Sequence, residues 1–164
     1  MKFRFTTTRL EATNAVLGSM KAATKLTTNL IFRCSPTGIH IVADPSYRSN
    51  SPLMSRCELR AENLFYEYHF NGVSAEHNLI YFDVPCLALS NILATFHSCI
   101  KSLKIKLDNG PSGERQRFVL KFTVEYPSLD NSRYIHHDVG ISIMKQKYWA
   151  PFEEQPVDPF NVIE

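Results

Sequence analysis

The adjacent pair His136-His137 offers two imidazoles in this 164-residue chain, as metal ligands or as an acid–base couple. They fall in a run where Ile135, His137, Val139, Ile141 and Ile143 alternate with His136, Asp138 and Ser142, which is strand spacing. Successive strand side chains point to opposite faces, so adjacent rings do not share a ligand. The pattern puts His137 on the apolar side and His136 on the polar side, a structural reading. Cys99 near His97 fails as a nucleophile–base pair for a related reason: positions i and i+2 of a helix diverge, and no third partner is in register. The carboxylates form no recurring pair, and the six glycines build no phosphate-cradling loop. Cys34, Cys57, Cys86 and Cys99 are scattered singly without a Cys-x-x-Cys, which reads as reduced, mostly buried thiols of an intracellular protein rather than as disulfides. Catalytic residues, a metal and a cofactor are therefore not expected.

What remains is non-covalent chemistry. Lys21, Lys25 and Lys101 fall on the polar sides of two amphipathic segments, where they either solvate exposed faces or attract a polyanion. Aromatics gather twice. Phe65, Tyr66, Tyr68 and Phe70 are too close together all to point one way in a strand, so some would meet a loop or another chain. Tyr148, Trp149, Phe152 and Phe160 stand among Pro151, Pro156 and Pro159, either holding this segment to its own sheet or lining a groove for a partner.

The elements that position these residues follow from periodicity. Phe3 and Phe5 mark a first strand over Lys2–Thr6, and a helix is expected from about Arg9 to Lys25 with Thr7 or Thr8 as N-cap. Leu10, Val16, Leu17, Met20 and Ala23 share one side of that helix; Asn14, Gly18, Lys21, Ala22 and Lys25 share the other. Strands follow at Asn29–Cys34, Ile39–Ala43 and Leu53–Arg60, the first two joined by the turn Ser35-Pro36-Thr37-Gly38. A second cycle has a strand at Leu79–Val84 and a helix opening at Pro85. Leu89, Ile92, Leu93, Phe96 and Ile100 lie inward on it, and Asn91, Thr95, Ser98 and Lys101 outward. Three alternating strands complete it, around Leu103–Leu107, Phe118–Val124 and Ile135–Ile143. Strand–helix–strand–strand–strand thus occurs twice, with Phe5 and Phe82 separated by 77 residues and Leu30 and Leu103 by 73. Such a pattern predicts an α+β domain over residues 1–144 with both helices on one face of antiparallel sheets, followed by an extended linker over 145–164.

Composition agrees with an ordinary globular domain: 44% hydrophobic and 21% charged residues exclude a disordered tail, a collagen-like repeat and a coiled coil. From Ala150 onward there are four acids and no Lys or Arg, so residues 1–149 carry a balance of +6, compatible with a polyanionic partner. The opening Met-Lys-Phe-Arg-Phe has no apolar core of a secretory signal, and Val84–Ile100 is too short for a membrane span. A cytosolic or nuclear protein without a membrane partner is expected.

Several stretches carry a family resemblance. Met1-Lys2-Phe3-Arg4, Cys57-Glu58-Leu59, Glu62-Asn63-Leu64-Phe65, Ile80-Tyr81 and Leu89-Ser90 contribute to it. Gly72-Val73-Ser74-Ala75-Glu76 with Asn78, and Leu103-Lys104-Ile105-Lys106-Leu107, are the most specific. With the duplicated architecture they resemble the Hus-one subunit family of the nine-one-one checkpoint clamp, within the PCNA-like sliding clamps. The resemblance runs in order from residue 1 to about 160. It implies a DNA-clamp domain, nuclear localisation and a non-catalytic role in a heterotrimeric ring with two related clamp subunits. Double-stranded DNA would pass through the centre without base readout, and a clamp loader and repair enzymes would dock on the ring.

Under that resemblance Lys21, Lys25, Asn91 and Lys101 would face DNA from the inner helices, and Tyr148, Trp149 and Phe152 would border the groove for partner peptides. Asn91 and Ala94 stand where processivity clamps tend to carry lysines, leaving a mildly basic inner face. Family members have two clamp domains, so the chain reads as an N-terminal half whose second domain is missing, with one of the two ring interfaces; it is expected not to close a ring. A different class of function is a standalone protein-interaction module of the same fold, acting through the linker groove or a free sheet edge without DNA.

Overall fold

The computed structural model describes residues 1–44, 54–110, 118–129 and 132–153. Two cycles of elements follow one another. The first is β1 (Lys2–Thr7), α1 (Leu10–Ala23), β2 (Asn29–Ser35), β3 (Gly38–Ala43) and β4 (Ser55–Arg60). A short helix α2 (Ala61–Leu64) and strand β5 (Glu67–Asn71) connect it to the second: β6 (Ile80–Pro85), α3 (Cys86–Ala94), β7 (Ser102–Asn109), β8 (Phe118–Tyr126) and β9 (Arg133–Ile143). The expected start of β4 at Leu53, together with Pro156, Pro159 and Phe160, lies outside the described residues.

All pairings are antiparallel, and the strand order is β4-β3-β2-β6-β9-β8-β7-β1-β5. The first strands are exchanged between cycles: β6 of the second pairs with β2 of the first, while β1 of the first pairs with β7 of the second. The long strand β9 joins the two halves, pairing β8 over most of its length and β6 at Ser142 and Ile143. Equivalent residues of the two cycles have equivalent fates: Phe5 and Phe82, and Leu30 and Leu103, are all fully buried.

One hydrophobic core joins both halves. Val16, Leu17, Met20 and Ala23 of α1 and Cys86, Leu89 and Leu93 of α3 pack on Phe3, Phe32, Ile41, Phe122 and Val139 from the strands. The two helices touch each other on this face. Strand alternation supplies the inward set and leaves Arg4, Lys104, Lys106 and Lys121 on the opposite, solvent side.

Gly38 shapes the β2–β3 turn. Its φ is +153°, and a Cβ there would stand 2.3 Å from the carbonyl oxygen of Leu59, so the neighbouring strand passes where a side chain would be.

Several expectations are corrected. Neither Thr7 nor Thr8 caps α1: Arg9 occupies the N-cap without a side-chain bond, while the buried Thr7 hydroxyl bonds that of Thr13 at 2.7 Å. Leu10, assigned to the buried side, is 53% exposed, whereas Ala12 and Thr13 of the same turn are buried. Helix α1 ends at Ala23, which puts Lys25 in the following turn. The second helix stops at Ala94 rather than running to Lys101. The Thr95 hydroxyl bonds the Ile92 carbonyl at 2.7 Å, and the Tyr126 hydroxyl takes the His97 N–H at 3.1 Å. Phe96 and Ile100 still reach the core, but from a turn. In the aromatic stretch, Phe65, Tyr68 and Phe70 stack in series against the core and only Tyr66 points out, 74% exposed. The α2-to-β5 junction interrupts the alternation that would have split them between faces. Finally, residues 146–152 form two turns of 3-10 helix (Gln146–Tyr148 and Ala150–Phe152) rather than extended backbone, and the remainder of the expected linker from 154 onward lies outside the described residues.

Candidate nucleic-acid interface

Helices α1 and α3 bury one side each, and their other sides form a continuous outer surface. On α1 it displays Asn14, Ala15, Gly18, Lys21 and Ala22, with Lys25 just beyond the C-terminus. On α3 it displays Leu87, Ala88, Asn91 and Ala94. Cys86–Ala94 contains no charged residue, so the positive charge of this surface comes from Lys21 and Lys25, with Glu11 the acid in the first turn of α1. Small side chains keep the surface low, which suits close approach of a large rigid partner. Two mobile cations on it give attraction without the donor–acceptor pattern that base reading demands.

Lys101 does not belong to this surface. It lies in the turn before β7, where its ammonium meets Glu125 Oε1 at 2.6 Å and its backbone N–H opens the ladder to the Glu125 carbonyl. The bond to Glu125, and its charge, raise the Lys101 pKa above the ordinary lysine value. Glu125 is drawn down to about 2 by Lys101 first, then by the hydroxyls of Ser132 and Ser102. Sequence periodicity placed Lys101 on a helix because Phe96 and Ile100 keep helical spacing, although the chain has already left the helix.

The aromatic segment after β9 folds back on the outer face of β2, β3 and β6. Trp149 stacks on Tyr81 at 4.7 Å, donates from Nε1 to the Met144 carbonyl at 3.1 Å and is 3% exposed. Phe152, 4% exposed, joins Ile31, Val42 and Tyr81 in the same cluster. Arg56 Nη2 donates to the carbonyls of Phe152 and Glu153 at 3.4 and 3.1 Å. Of the three predicted groove residues, two are thus largely buried anchors. Tyr148 is 55% exposed, with the Lys147 ammonium 4.8 Å from its ring centre. Beside it opens a cavity of about 730 Å³ lined by Ile31, Asp83, Met144, Lys147, Tyr148 and Phe152.

Beneath this segment lies a polar network that the motif reading missed. Arg33 donates from Nε to the Tyr81 hydroxyl at 3.0 Å and from Nη1 to Nδ1 of His40 at 2.8 Å. Because arginine only donates, His40 Nδ1 must accept and its proton sits on Nε2, which faces Glu58 at 3.8 Å. Alternation along β2 and β3 could have revealed the pair, since Arg33 and His40 are direct cross-strand neighbours.

His136 and His137 diverge as strand geometry demands: His137 Nε2 lies 3.3 Å from the Thr95 hydroxyl, and His136 Nδ1 lies 3.1 Å from that of Thr123. Among the described residues no group of three His, Cys, Asp or Glu could hold a metal ion. All four cysteines are free; burial raises Cys34 well above its usual value and Cys86 to about 11, leaving both as thiols at neutral pH. No helix among the described residues is long and apolar enough to cross a membrane.

Comparison with known proteins gives two findings. The profile of the Hus1-like protein family matches residues 1–163. Checkpoint protein HUS1 of Homo sapiens is 34% identical over 136 residues, covering 82% of this chain and 46% of the human protein. The chain therefore spans about half the length of the curated relative it matches.

Proposed function

The chain belongs to the Hus1-like family and has its PCNA-like clamp fold, and from that premise we propose that it is a non-catalytic subunit of a heterotrimeric DNA-damage checkpoint clamp. In this reading it assembles with two related clamp subunits in the nucleus, encircles duplex DNA without base specificity and offers a platform to a clamp loader and repair enzymes. The observation that carries the reading is the pair of helices α1 and α3 side by side on one face of a duplicated antiparallel sheet. A ring built from such units turns a helical wall towards its hole, and retention on DNA then comes from topology. Lys21, Lys25 and Asn91 are the residues assigned to that wall. Lys101, already held by Glu125, contributes at most at its margin.

The cavity beside Tyr148 supports the platform role. The buried Phe152 lines it together with the exposed Tyr148 and with Lys147. A standalone interaction module would use the same cavity without DNA. Two measurements separate the readings: native mass of the 164-residue chain alone and co-expressed with two clamp partners, and retention on duplex DNA across a salt series. Co-assembly with a clamp partner, with salt-sensitive DNA binding that weakens when Lys21 and Lys25 are reversed, is the expected result. A monomer indifferent to both partners and to DNA would leave only the module.

A further inference from the structure

The solvent face of the half-sheet β5-β1-β7-β8-β9 carries a charge arrangement that folding alone does not favour. Cross-strand register puts His69 opposite Arg4, Arg4 opposite Lys106, Lys106 opposite Lys121 and Lys121 opposite Asp138. Three cations stand abreast on neighbouring strands roughly 4.8 Å apart, and like charges placed directly opposite one another are destabilising. The next row sets Lys104 between Thr6 and Thr123, with His136 beyond. Neutralisation within the chain is incomplete. Asp108 reaches Lys106 at 2.7 Å and Lys121 at 3.5 Å, and Asp138 stands 4.0 Å from Lys121. The buried Nε of Arg4 has no hydrogen-bond partner among the described residues. Lys104, Lys106, Lys121, Thr123 and His136 share one shallow concavity of about 890 Å³ with Tyr134 and Asp138.

We propose that this concavity docks an acidic peptide segment of a partner protein, its charge supplied by Asp, Glu or phosphorylated Ser and Thr. The inference stands on register and charge and does not depend on the clamp reading. Charge complementarity selects a polyanion, and the rim selects its kind. The cationic row spans three strands and is bordered by Asp138 at its end and by Glu67 in the next row, with Glu125, paired to Lys101, one row further on. A duplex laid across it would press phosphates onto those carboxylates, whereas two or three acidic side chains of an extended peptide fit between them. The ammonium groups of Lys104, Lys106 and Lys121 give charge-assisted hydrogen bonds to carboxylate or phosphate oxygens. The hydroxyls of Thr123 and Tyr134 add neutral donors. Because α1 and α3 cover the opposite face of the sheet, peptide and DNA can be held at once.

The test uses the 164-residue chain and a short fluorescent peptide of alternating Ser and Asp, with and without phosphate on its serines, and a short DNA duplex as a second probe. Saturable binding of the phosphorylated peptide is expected, weakened about tenfold or more by the double variant K104E/K121E and unaffected by K21E/K25E. The neutral variant K104Q/K121Q, with an unchanged thermal melt, should show an intermediate loss and so separates lost contacts from lost fold. Absence of peptide binding, or binding indifferent to both Lys104/Lys121 variants, overturns the proposal. So does a duplex that displaces the peptide through the same lysines, which would make this face a nucleic-acid surface.

Discussion

Gly38 and Glu125 show how much a single position settles. At Gly38 the obstacle to any side chain is backbone: the Leu59 carbonyl oxygen at 2.3 Å and the Ala61 nitrogen at 3.1 Å from a built Cβ. Neither moves without breaking the β3–β4 pairing, so Gly38→Ala should lower unfolding free energy by more than about 2 kcal/mol in denaturant titration. An unchanged midpoint would mean the turn adjusts freely. The Ser-Pro-Thr-Gly turn was legible in the sequence, but the close passage of Leu59 that makes the glycine obligatory was not, because it joins residues on different strands. Glu125 lies at the other extreme of predictability, a strand-face acid with no motif around it. Its folded-state pKa of about 2 lies below the ordinary value of 4.5, so its contribution is present above pH 4.5 and is lost as pH falls towards 2. Glu125→Gln should therefore cost about 1 kcal/mol at neutral pH and converge with the parent protein in acid. A gap between the two that persists near pH 2 would mean the bonds to Lys101, Ser102 and Ser132 are not what holds that carboxylate.

Among the elements, the segment after β9 depends most on a few side chains. Trp149 and Phe152 cap a small cluster separate from the main core, so Trp149→Ala removes most of its apolar contact at one stroke. A loss of about 3 kcal/mol is expected, together with faster proteolysis within residues 145–153 while the sheet stays protected. If cleavage spreads at once through the whole chain, the segment is part of the cooperative core rather than a strap over it. Helices and strands were largely visible as periodicity, since Leu89 and Leu93, or Leu103 and Ile105, keep one side through the element. Element ends were less visible. Thr95 and Tyr126 terminate α3 through side-chain bonds that compete for backbone groups, and Phe96 stays buried beyond the end. The burial pattern therefore ran on past the helix and carried Lys101 with it. Strand β5 hid because Phe65, just before it, faces the core along with Tyr68 and Phe70, which blurs the alternation the strand itself keeps.

For the whole molecule, the duplicated order of elements announced an α+β domain of two matched units, and Phe5 with Phe82 gave their spacing. The exposed side of the helix pair, proposed above to face DNA, was legible as a surface on α1 from Asn14, Gly18 and Lys21, and thin on α3 because nothing charged marks it. Reversing Lys21 and Lys25 removes two phosphate contacts at most. The slope of log affinity against log salt should then fall by about 2, with unfolding midpoints unchanged since both side chains are exposed. An unaltered slope would assign DNA retention to ring geometry alone.

Periodicity never disclosed that β1 and β6 trade places. Because β1 completes the sheet of the second unit and β6 that of the first, neither unit owns its full complement of strands. A chain emerging from the ribosome cannot complete the sheet of its first unit until β6 of the second is made, so the first unit alone is no self-sufficient folding intermediate. Severed in the loop between Asn71 and Ile80, the two pieces should each stay unfolded in isolation and restore the native circular dichroism only when mixed, as interlocking parts of one object.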